Sequence, residues 1–402
     1  MTERLHAPVS RADAIATQTP PDGLALLRWF VSAAAMGVLQ AAAPVAFSLV
    51  ALGLTGDASG GAAIVLAMTL AQVVGAVPVA RLGTAMRAAA FLRILVGIRT
   101  LALGCMAVLV SREVALPWLV ACAAVSGSVN GAAYGYLRST LNRLTPEARL
   151  PRALGIAATL NEVTFVLAPV LASVVGTVSP AFAVATIAVL GAVPALLVPS
   201  AGEACAGDAP ETGGSVVSAP MLLWLLCATA GGAAVAAIEI GAVALALSFG
   251  HEPAMAILFT VPLCLASVAG GVWVSVRNLK ASRTSVLAQL SVMTVGSLLA
   301  ALDASLALTV AGAVLMGFVL APLGTYYSLV FDALAPAHRR AEAFALLRTA
   351  NSVGIILASA VLTVASLPVT LAAVAGMMLA VTSLVGFTHR RARSEPRPAT
   401  AD

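Results

Sequence analysis

The sequence predicts an all-α membrane protein whose twelve transmembrane helices form two pseudo-symmetric halves of six helices each. This prediction rests on the composition, the placement of cations and an internal repeat. Of the 402 residues, 60% are apolar and 10% are charged, and the mean hydropathy is +1.02. Soluble domains average roughly 45–50% apolar and about 25% charged residues. Most of the chain is therefore expected to lie in lipid.

The helices are predicted from long apolar runs that end at Gly, Pro or charge. A span needs about 20 mainly apolar residues, because a helix rises about 1.5 Å per residue through about 30 Å of hydrocarbon. The first run is too long for the core of a cleaved signal peptide, so we expect it to remain in the mature protein. The predicted spans cover residues 24–53, 60–80, 89–111, 116–138, 152–176, 180–198, 219–247, 253–276, 284–302, 304–330, 341–366 and 368–388.

The longest polar interruption between spans separates six helices from six. It covers residues 199–218, is rich in Gly, Ala and acids, and is expected to act as a flexible cytoplasmic linker. The predicted organisation is a tail (1–23), an N-terminal half (24–198), the linker, a C-terminal half (219–388) and a second tail (389–402).

The cations predict the orientation of these spans. Of the 22 Lys and Arg residues, all but Arg99 and Arg112 fall on one side when the chain crosses twelve times. Because Lys and Arg are retained on the cytoplasmic side, both termini are expected in the cytoplasm. We expect a multi-pass protein of the cytoplasmic membrane, in a bacterial cell and as a monomer.

An internal repeat predicts that the two halves share one structure in parallel orientation. Residues 127–163 align without gaps on residues 317–353, and ten positions are identical. They include Pro, Arg, Asn, Tyr and Thr, which a low-complexity Ala/Leu/Val sequence rarely matches by accident. A second match pairs three residues in the loops after helices 2 and 8, namely Gly75 with Gly271, Arg81 with Arg277 and Arg87 with Arg283.

Several chemistries are disfavoured by the residues present. The five cysteines form no C-x-x-C pair and the four histidines fall in predicted tails or loops, so no metal site is predicted. The chain has no G-x-x-x-x-G-K-[ST] loop and Lys280 is its only lysine, so neither ATP nor another cofactor is expected. The pI near 9.3 follows from the orienting cations, so nucleic acid is not an expected partner. No arrangement of a nucleophile and a base indicates an enzyme.

Over about residues 24–388 the chain resembles the major facilitator superfamily. The twelve-span layout matches, and in the loop after helix 2 Arg81 and Gly83 fit the family's Gly-x-x-x-Asp-Arg-x-Gly-Arg-Arg type motif, with Arg87 fitting loosely. In the family, the residue at the position of Ala80 is an Asp in a cytoplasmic charge network that holds one conformation closed. We therefore do not expect this network in its usual form. The resemblance implies a secondary transporter whose halves rock around a midplane site.

Three ionisable residues are predicted at membrane depth, where a charge is costly and marks function. Glu239 on helix 7 is the candidate for proton coupling or substrate contact, unless it is held by a hydroxyl only to pack its helix. Glu162 on helix 5 is a candidate coupling site or gate, with a structural ion pair near Arg348 of helix 11 as the alternative. Arg99 on helix 3 is expected to form a scaffold salt bridge, with Glu162 as the candidate partner.

Neutral polar residues complete the candidate site. They could contact substrate, or they could join helices to one another inside the membrane. These candidates are Gln40, Asn130, Tyr134, Asn161, Tyr326, Tyr327 and Asn351. A second group is assigned to structural or gating charge, comprising Arg99, Arg81, Arg87, Arg277, Arg283 and Arg348. Gly127, Gly131 and Gly135 recur every four residues on helix 4 and predict close helix packing.

The predicted function is proton-coupled efflux of a metabolite or drug-like small solute by alternating access. The preference for efflux rests on the resemblance to efflux members of the family and on the long apolar helices of the expected cavity, in which no sugar-type group of several acids and amides is found. Pro169 is similar to the Pro of the family's antiporter motif, although Ala168 replaces the preceding Gly. Uptake of a small nutrient is the alternative within transport. A non-transporting membrane sensor with the same fold is the alternative outside it.

Overall fold

A computed structural model describes residues 23–55, 59–199 and 218–394. Within these ranges, twelve helices are long and apolar enough to cross a membrane. The helices are α1 (Gly23–Thr55), α2 (Ser59–Leu82), α3 (Ala88–Ser111), α4 (Leu116–Leu144), α5 (Leu150–Val178), α6 (Pro180–Leu197), α7 (Ala219–Ser248), α8 (Ile257–Arg277), α9 (Arg283–Leu302), α10 (Leu306–Leu334), α11 (Arg340–Val364) and α12 (Leu367–Ser394).

The predicted fold class is confirmed, and most helix boundaries lie within two residues of the prediction. The largest differences are at α4, which runs to Leu144 where the sequence predicted an end at residue 138, and at α12, which continues to Ser394. Arg138 does not end its helix because it is buried, donates to Asn142 at 2.9 Å and lies over the Phe344 ring. The linker and both tails fall largely outside the described residues, as does Cys205.

Proline and serine set the ends of several helices. Pro occupies the first turn of α4, α5, α6 and α7, where its missing N–H costs nothing because those donors have no helical partner. Ser218, Ser282 and Ser305 cap α7, α9 and α10 by accepting from a backbone N–H three residues later. Asn278 ends α8 in the left-handed conformation, with φ at +46°.

The two halves repeat the same helix packing. In the N-terminal half α1 contacts α5 and α6, α2 contacts α4, and α3 contacts α4 and α6. The C-terminal half has the same pairs six helices later, since α7 contacts α11 and α12, α8 contacts α10, and α9 contacts α10 and α12. This packing is the parallel repeat that the sequence predicted.

Glycines at the α2–α4 crossing show how closely the repeat is kept. A Cβ on Gly127 would lie 2.0 Å from the Met68 carbonyl oxygen, and one on Gly317 would lie 2.2 Å from that of Leu263. Gly75 packs against α4 in the same way. In the C-terminal half, the glycine that packs against α10 at the equivalent place is Gly270. The predicted equivalence of Gly75 with Gly271 is therefore wrong by one residue.

The halves meet along four helix pairs, α2–α11, α5–α8, α4–α11 and α5–α10. We call the surface at which α1 begins and α12 ends the terminal face, and the opposite surface the far face. The glycine stripe of α4 divides between two roles here. Gly127 and Gly131 pack against α2, whereas a Cβ on Gly135 would lie 2.2 Å from the Ala341 carbonyl oxygen of the other half.

We expect Gly127→Ala to lower stability by about 1–3 kcal/mol, because its methyl group would overlap the Met68 carbonyl and force α2 and α4 apart. Thermal unfolding of the purified protein in detergent measures the change. Gly104→Ala is the matched control, since no atom lies within 4 Å of the added carbon. Equal unfolding temperatures for the two variants would contradict the close α2–α4 crossing.

Candidate functional site between the two halves

Two carboxyl side chains approach each other across the gap between the halves. Glu162 lies on α5 and Glu239 on α7, the charge of Glu162 acts on Glu239, and both charges act on Cys264 of α8. Glu239 is exposed, although Ala237 and Ile238 beside it are buried. Because the charge of Glu162, on the opposite half, acts on Glu239, this side chain faces the gap between the halves and not the surrounding lipid.

Glu162 also reaches the C-terminal half through a hydroxyl. Its carboxylate approaches the Ser267 side chain of α8 and the amide of the adjacent Asn161. The predicted ion pairing of Glu162 with Arg99 is therefore wrong. At membrane depth, α5 and α8 therefore bring together hydrogen-bond acceptors and hydroxyl groups.

Arg348 forms a second polar contact between the halves. It lies on α11, and its Nη2 donates to Gln40 Oε1 of α1 at 2.9 Å. Its guanidinium carbon lies 5.0 Å from the centre of the Tyr134 ring of α4, in a cation–π contact. Gln40 is half-buried and Tyr134 is 37% exposed, so these side chains border open space where the halves meet. A solute in that space would meet a cation, an amide and an aromatic ring.

Arg99 is fully buried and belongs to a chain of polar side chains, not to a salt bridge. Its Nη1 donates to Asn130 Oδ1 at 2.9 Å, and its Nη2 donates to the Gly191 carbonyl oxygen of α6. Asn130 in turn donates to Gln72 Oε1 at 2.8 Å, and Gln72 donates to Ser352 Oγ at 3.0 Å. The chain thus runs from the outer helices α3 and α6 through α4 and α2 to α11 of the other half.

Asn130 is therefore a scaffold residue in this conformation and does not border the gap. Its side chain is 5% exposed, and both ends of its amide are used inside the protein. The interpretation of Asn130 as a substrate contact is not supported by this placement. Polar residues of membrane helices serve either role, and only the packing distinguishes them.

The two repeat-related asparagines occupy equivalent places in the halves. Asn161 Oδ1 lies 3.3 Å from where a Gly37 Cβ would be, and Asn351 Oδ1 lies 2.7 Å from where a Gly232 Cβ would be. Each asparagine therefore packs against a glycine of the first helix of its own half. Both are partly exposed, so both also remain next to open space.

Tyr326 and Tyr327 lie in the core of the C-terminal half. The Tyr326 ring is 5.0 Å from Trp224 in an edge contact, and Tyr327 is 6.0 Å from the same ring. Their exposed fractions are below one tenth. Tyr326 also borders a cavity of about 500 Å³ at the terminal face, between α4, α5 and α10, so it is not at the level of the acids.

The terminal face is closed by an ion pair that the sequence did not predict. Glu342 of α11 is 2% exposed and accepts from Arg81 of α2 at 2.8 Å and from Arg339 at 2.8 Å. Arg81 is a residue of the family motif whose acid is replaced by Ala80. The partner acid comes from the other half of the protein instead, and Ala80 contributes only its carbonyl oxygen, which accepts from the Tyr136 hydroxyl at 2.8 Å.

A second contact lies on the pseudo-twofold axis. Asn142 of α4 donates to Asp332 of α10, and these two positions are equivalent in the internal repeat. Asp332 also pairs with Arg340 Nε at 3.0 Å. Arg138 adds its charge nearby from α4. The ends of α4 and α10 are therefore joined directly across the halves.

The polar contacts on the α5–α8 side of the terminal face are weaker than the ion pair on the α2–α11 side. Asn278 Nδ2 donates to the Ala148 carbonyl oxygen at 2.8 Å, and Asn278 Oδ1 accepts from Arg152 N at 3.0 Å. Lys280 pairs with Glu147, and the two side chains are 55% and 80% exposed. An ion pair this exposed contributes little to stability.

Three of the cations assigned to gating take no part in these ion pairs. Arg277 lies over the Trp273 ring at 5.5 Å, whereas Arg87 and Arg283 begin α3 and α9 with exposed side chains. Sequence reasoning also missed the residues whose hydrogen bonds and ion pairs do join the halves, which are Gln72, Asn142, Asp332, Glu342 and Ser352. The sequence contains a signal for only one of these contacts. Asn142 and Asp332 are equivalent in the repeat, so they could be expected to lie near each other across the two halves.

Two parallel six-helix halves that meet around acidic and polar side chains define a polytopic transporter fold. The chain belongs to the Major Facilitator Superfamily, whose family model matches residues 28–359. It is thus a multi-pass membrane protein and a secondary transporter. No match to the sequences of curated proteins was found.

Solved structures of transporters share the fold at low sequence identity. A bacterial homologue of the iron transporter ferroportin in its outward-facing state has a TM-score of 0.72 and 14% identity, covering 94% of this chain and 100% of that one. The human organic anion transporter MFSD10 has a TM-score of 0.70 and 12% identity, covering 91% and 100%. FucP, a fucose:proton symporter of E. coli, in its outward conformation has a TM-score of 0.70 and 14% identity, covering 93% and 98%.

Proposed function

We propose that the protein couples proton movement to export of a small metabolite or drug-like solute by alternating access. The observation that carries this proposal is the approach of Glu162 and Glu239 across the gap between the halves. Two carboxylates in a water-poor gap repel each other, and binding one proton removes that repulsion. Protonation can therefore change how the halves fit together, which is what coupling requires.

The conformation supports a cycle in which the acids are loaded from the far face. At the terminal face the halves are joined by the ion pair of Glu342 with Arg81 and by the hydrogen bond from Asn142 to Asp332. Deeper in the membrane they are joined by hydrogen bonds of Gln72 and Arg348. With both termini in the cytoplasm, as the cations predict, this state is closed to the cytoplasm. Two of the similar structures are also outward-facing.

The arrangement around Arg348 suits a solute with both polar and aromatic or apolar parts. Its guanidinium contacts the Tyr134 ring across the gap, and the carboxyls of Glu162 and Glu239 lie on α5 and α7. A site with charges of both signs and an aromatic ring can hold an amphipathic solute by several separate contacts. We take such a solute as the substrate class, handled by a monomer in a bacterial cytoplasmic membrane.

Flux measurements in liposomes test this proposal. Purified protein is reconstituted, a pH gradient of either polarity is imposed, and solute flux is followed together with the internal pH for a panel of cationic, neutral and anionic compounds. Export by exchange predicts that solute moves against the direction of proton flow. Co-directional movement would establish uptake, and accumulation of solute against its own gradient that persists after an ionophore collapses the pH gradient would exclude proton coupling. Folded protein without flux of any class would favour the sensor.

A further inference from the structure

A cavity in the C-terminal half has the features of a binding site and adjoins the larger cavity at the terminal face, with which it shares Lys280, Ala281, Tyr326 and Leu329. Its volume is about 240 Å³, and it lies at the terminal face where α8 ends and α9 begins, with α10 as its wall. Pockets for drug-sized ligands range from about 300 to 1,000 Å³. This cavity is therefore suited to a single small group.

The charges that line the cavity are all positive. Arg277 and Lys280 border it, and none of the residues that line it is acidic. The nearest acid in contact is Glu147 of the other half, which pairs with Lys280 from outside through an exposed and weak contact. The start of α9 lies at the same place, capped by Ser282, and a helix N-terminus favours negative charge.

A buried hydroxyl faces the cavity without a protein partner. Thr325 of α10 is 7% exposed, it lines the cavity, and its Oγ1 has no hydrogen-bond partner in the part of the chain that the structure describes. The Gln289 side-chain oxygen, which also lines the cavity, likewise has no hydrogen-bond partner among the described residues. Buried polar atoms are normally satisfied, so the Thr325 hydroxyl, a possible donor beside two cations, indicates a polar ligand that accepts hydrogen bonds. The Gln289 oxygen is an acceptor only, and this side chain could donate to such a ligand through its Nε2 instead.

The equivalent turn of the N-terminal half is packed by aromatic side chains. There Gly83 packs closely against Phe91 and the Tyr136 hydroxyl, and Tyr136 donates to the Ala80 carbonyl oxygen. Tyr326, the repeat equivalent of Tyr136, turns its ring against Trp224 instead. The two equivalent tyrosines therefore pack differently, and in the C-terminal half Tyr326 borders the cavity.

From these observations we propose that the cavity between α8, α9 and α10 binds a phosphate-bearing anion through Arg277, Lys280 and Thr325. A guanidinium, an ammonium and hydroxyl donors are the groups that recognise phosphate oxygens. Two sources carry this chemistry, the headgroup of an anionic phospholipid and a soluble phosphate. The exposed apolar side chains of Trp273, Val276 and Leu279 around the mouth are placed to contact acyl chains.

Native mass spectrometry of the full-length protein tests the site, with phosphatidylglycerol compared with phosphatidylcholine, and thermal shift with inorganic phosphate forms the soluble arm. We expect retention of phosphatidylglycerol over phosphatidylcholine. Arg277→Ala should weaken it by about tenfold or more, and Thr325→Val, which keeps the shape of the side chain, by roughly three- to tenfold. Stabilisation by phosphate with no lipid preference would assign the same site to a soluble ligand.

Arg87→Ala is the matched control, because it removes an exposed cation from the equivalent loop of the N-terminal half. It should leave retention unchanged. If it weakens binding as much as Arg277→Ala, the effect is general surface charge and the site is excluded. Absence of both lipid preference and phosphate stabilisation in the folded wild-type protein would overturn the proposal as well.

Discussion

Replacing Glu239 with Gln is expected to abolish solute movement driven by a pH gradient. The amide keeps the size and hydrogen-bonding capacity of the side chain but cannot bind and release a proton at its place opposite Glu162. Binding of solute and its exchange across the membrane without a gradient should continue. The two activities are measured in the same liposomes as gradient-driven flux and as exchange of labelled for unlabelled solute.

Ser267→Ala serves as a control for this experiment. It removes a hydroxyl from the same polar group, near Glu162, without removing a titrating side chain. We expect it to retain gradient-driven flux, whereas Glu162→Gln should reduce it because the repulsion between the carboxylates is lost. Gradient-driven flux at the wild-type rate in Glu239→Gln would remove this residue from the coupling mechanism.

Glu342→Gln is expected to open the terminal face. In wild type this buried carboxylate accepts from Arg81 and Arg339, and without its charge two cations face each other across a neutral group. Hydrogen bonds to charged groups contribute about 1.5–3 kcal/mol, which corresponds to a roughly ten- to hundredfold change in the ratio of closed to open populations. Because Arg81 is largely exposed, we expect the change in the ratio of closed to open populations to be nearer tenfold than hundredfold.

Spin-label distances measure that change. Thr84→Cys and Leu279→Cys place labels on exposed positions of the two halves at the terminal face, in a background without the native cysteines. The Glu342→Gln variant should show a population with a longer distance between the two labels, and this population should be minor in the parent. Glu147→Gln is the control, because its pairing with Lys280 is exposed and should matter little. Identical distance distributions in Glu342→Gln and the parent would mean that this ion pair does not hold the face closed.

The fold was predictable from the sequence because lipid imposes a simple pattern. Apolar runs of sufficient length, bounded by Pro, Gly and charge, gave helix boundaries that the structure largely confirms. Where the prediction was wrong, a charged residue was taken as the end of a span. Arg138 remains inside α4 because Asn142, one turn later, and Phe344 of α11 receive its side chain, and no pattern within α4 reveals the partner on α11.

The site was predictable only in part, because its geometry depends on contacts between distant segments. Glu162 and Glu239 stood out as carboxyls in apolar surroundings, but nothing in the sequence indicated that they face each other. Glu342 was missed since an acid in the first turn of a helix is common for reasons of the helix dipole. For Asn130 the sequence left two roles open, because amides in membrane helices serve packing as well as binding, and only its contacts with Arg99 and Gln72 favour packing.

The two sides of the terminal face are held by contacts of different quality, and this difference sets an order of events. On the α2–α11 side a buried carboxylate holds two cations, whereas on the α5–α8 side the charged pair is exposed to water and to salt. The α5–α8 side should separate first when the protein begins to open toward the termini, with α2 and α11 acting as the hinge. The two halves would then rotate about the α2–α11 side of the molecule, and the two sides would not separate equally.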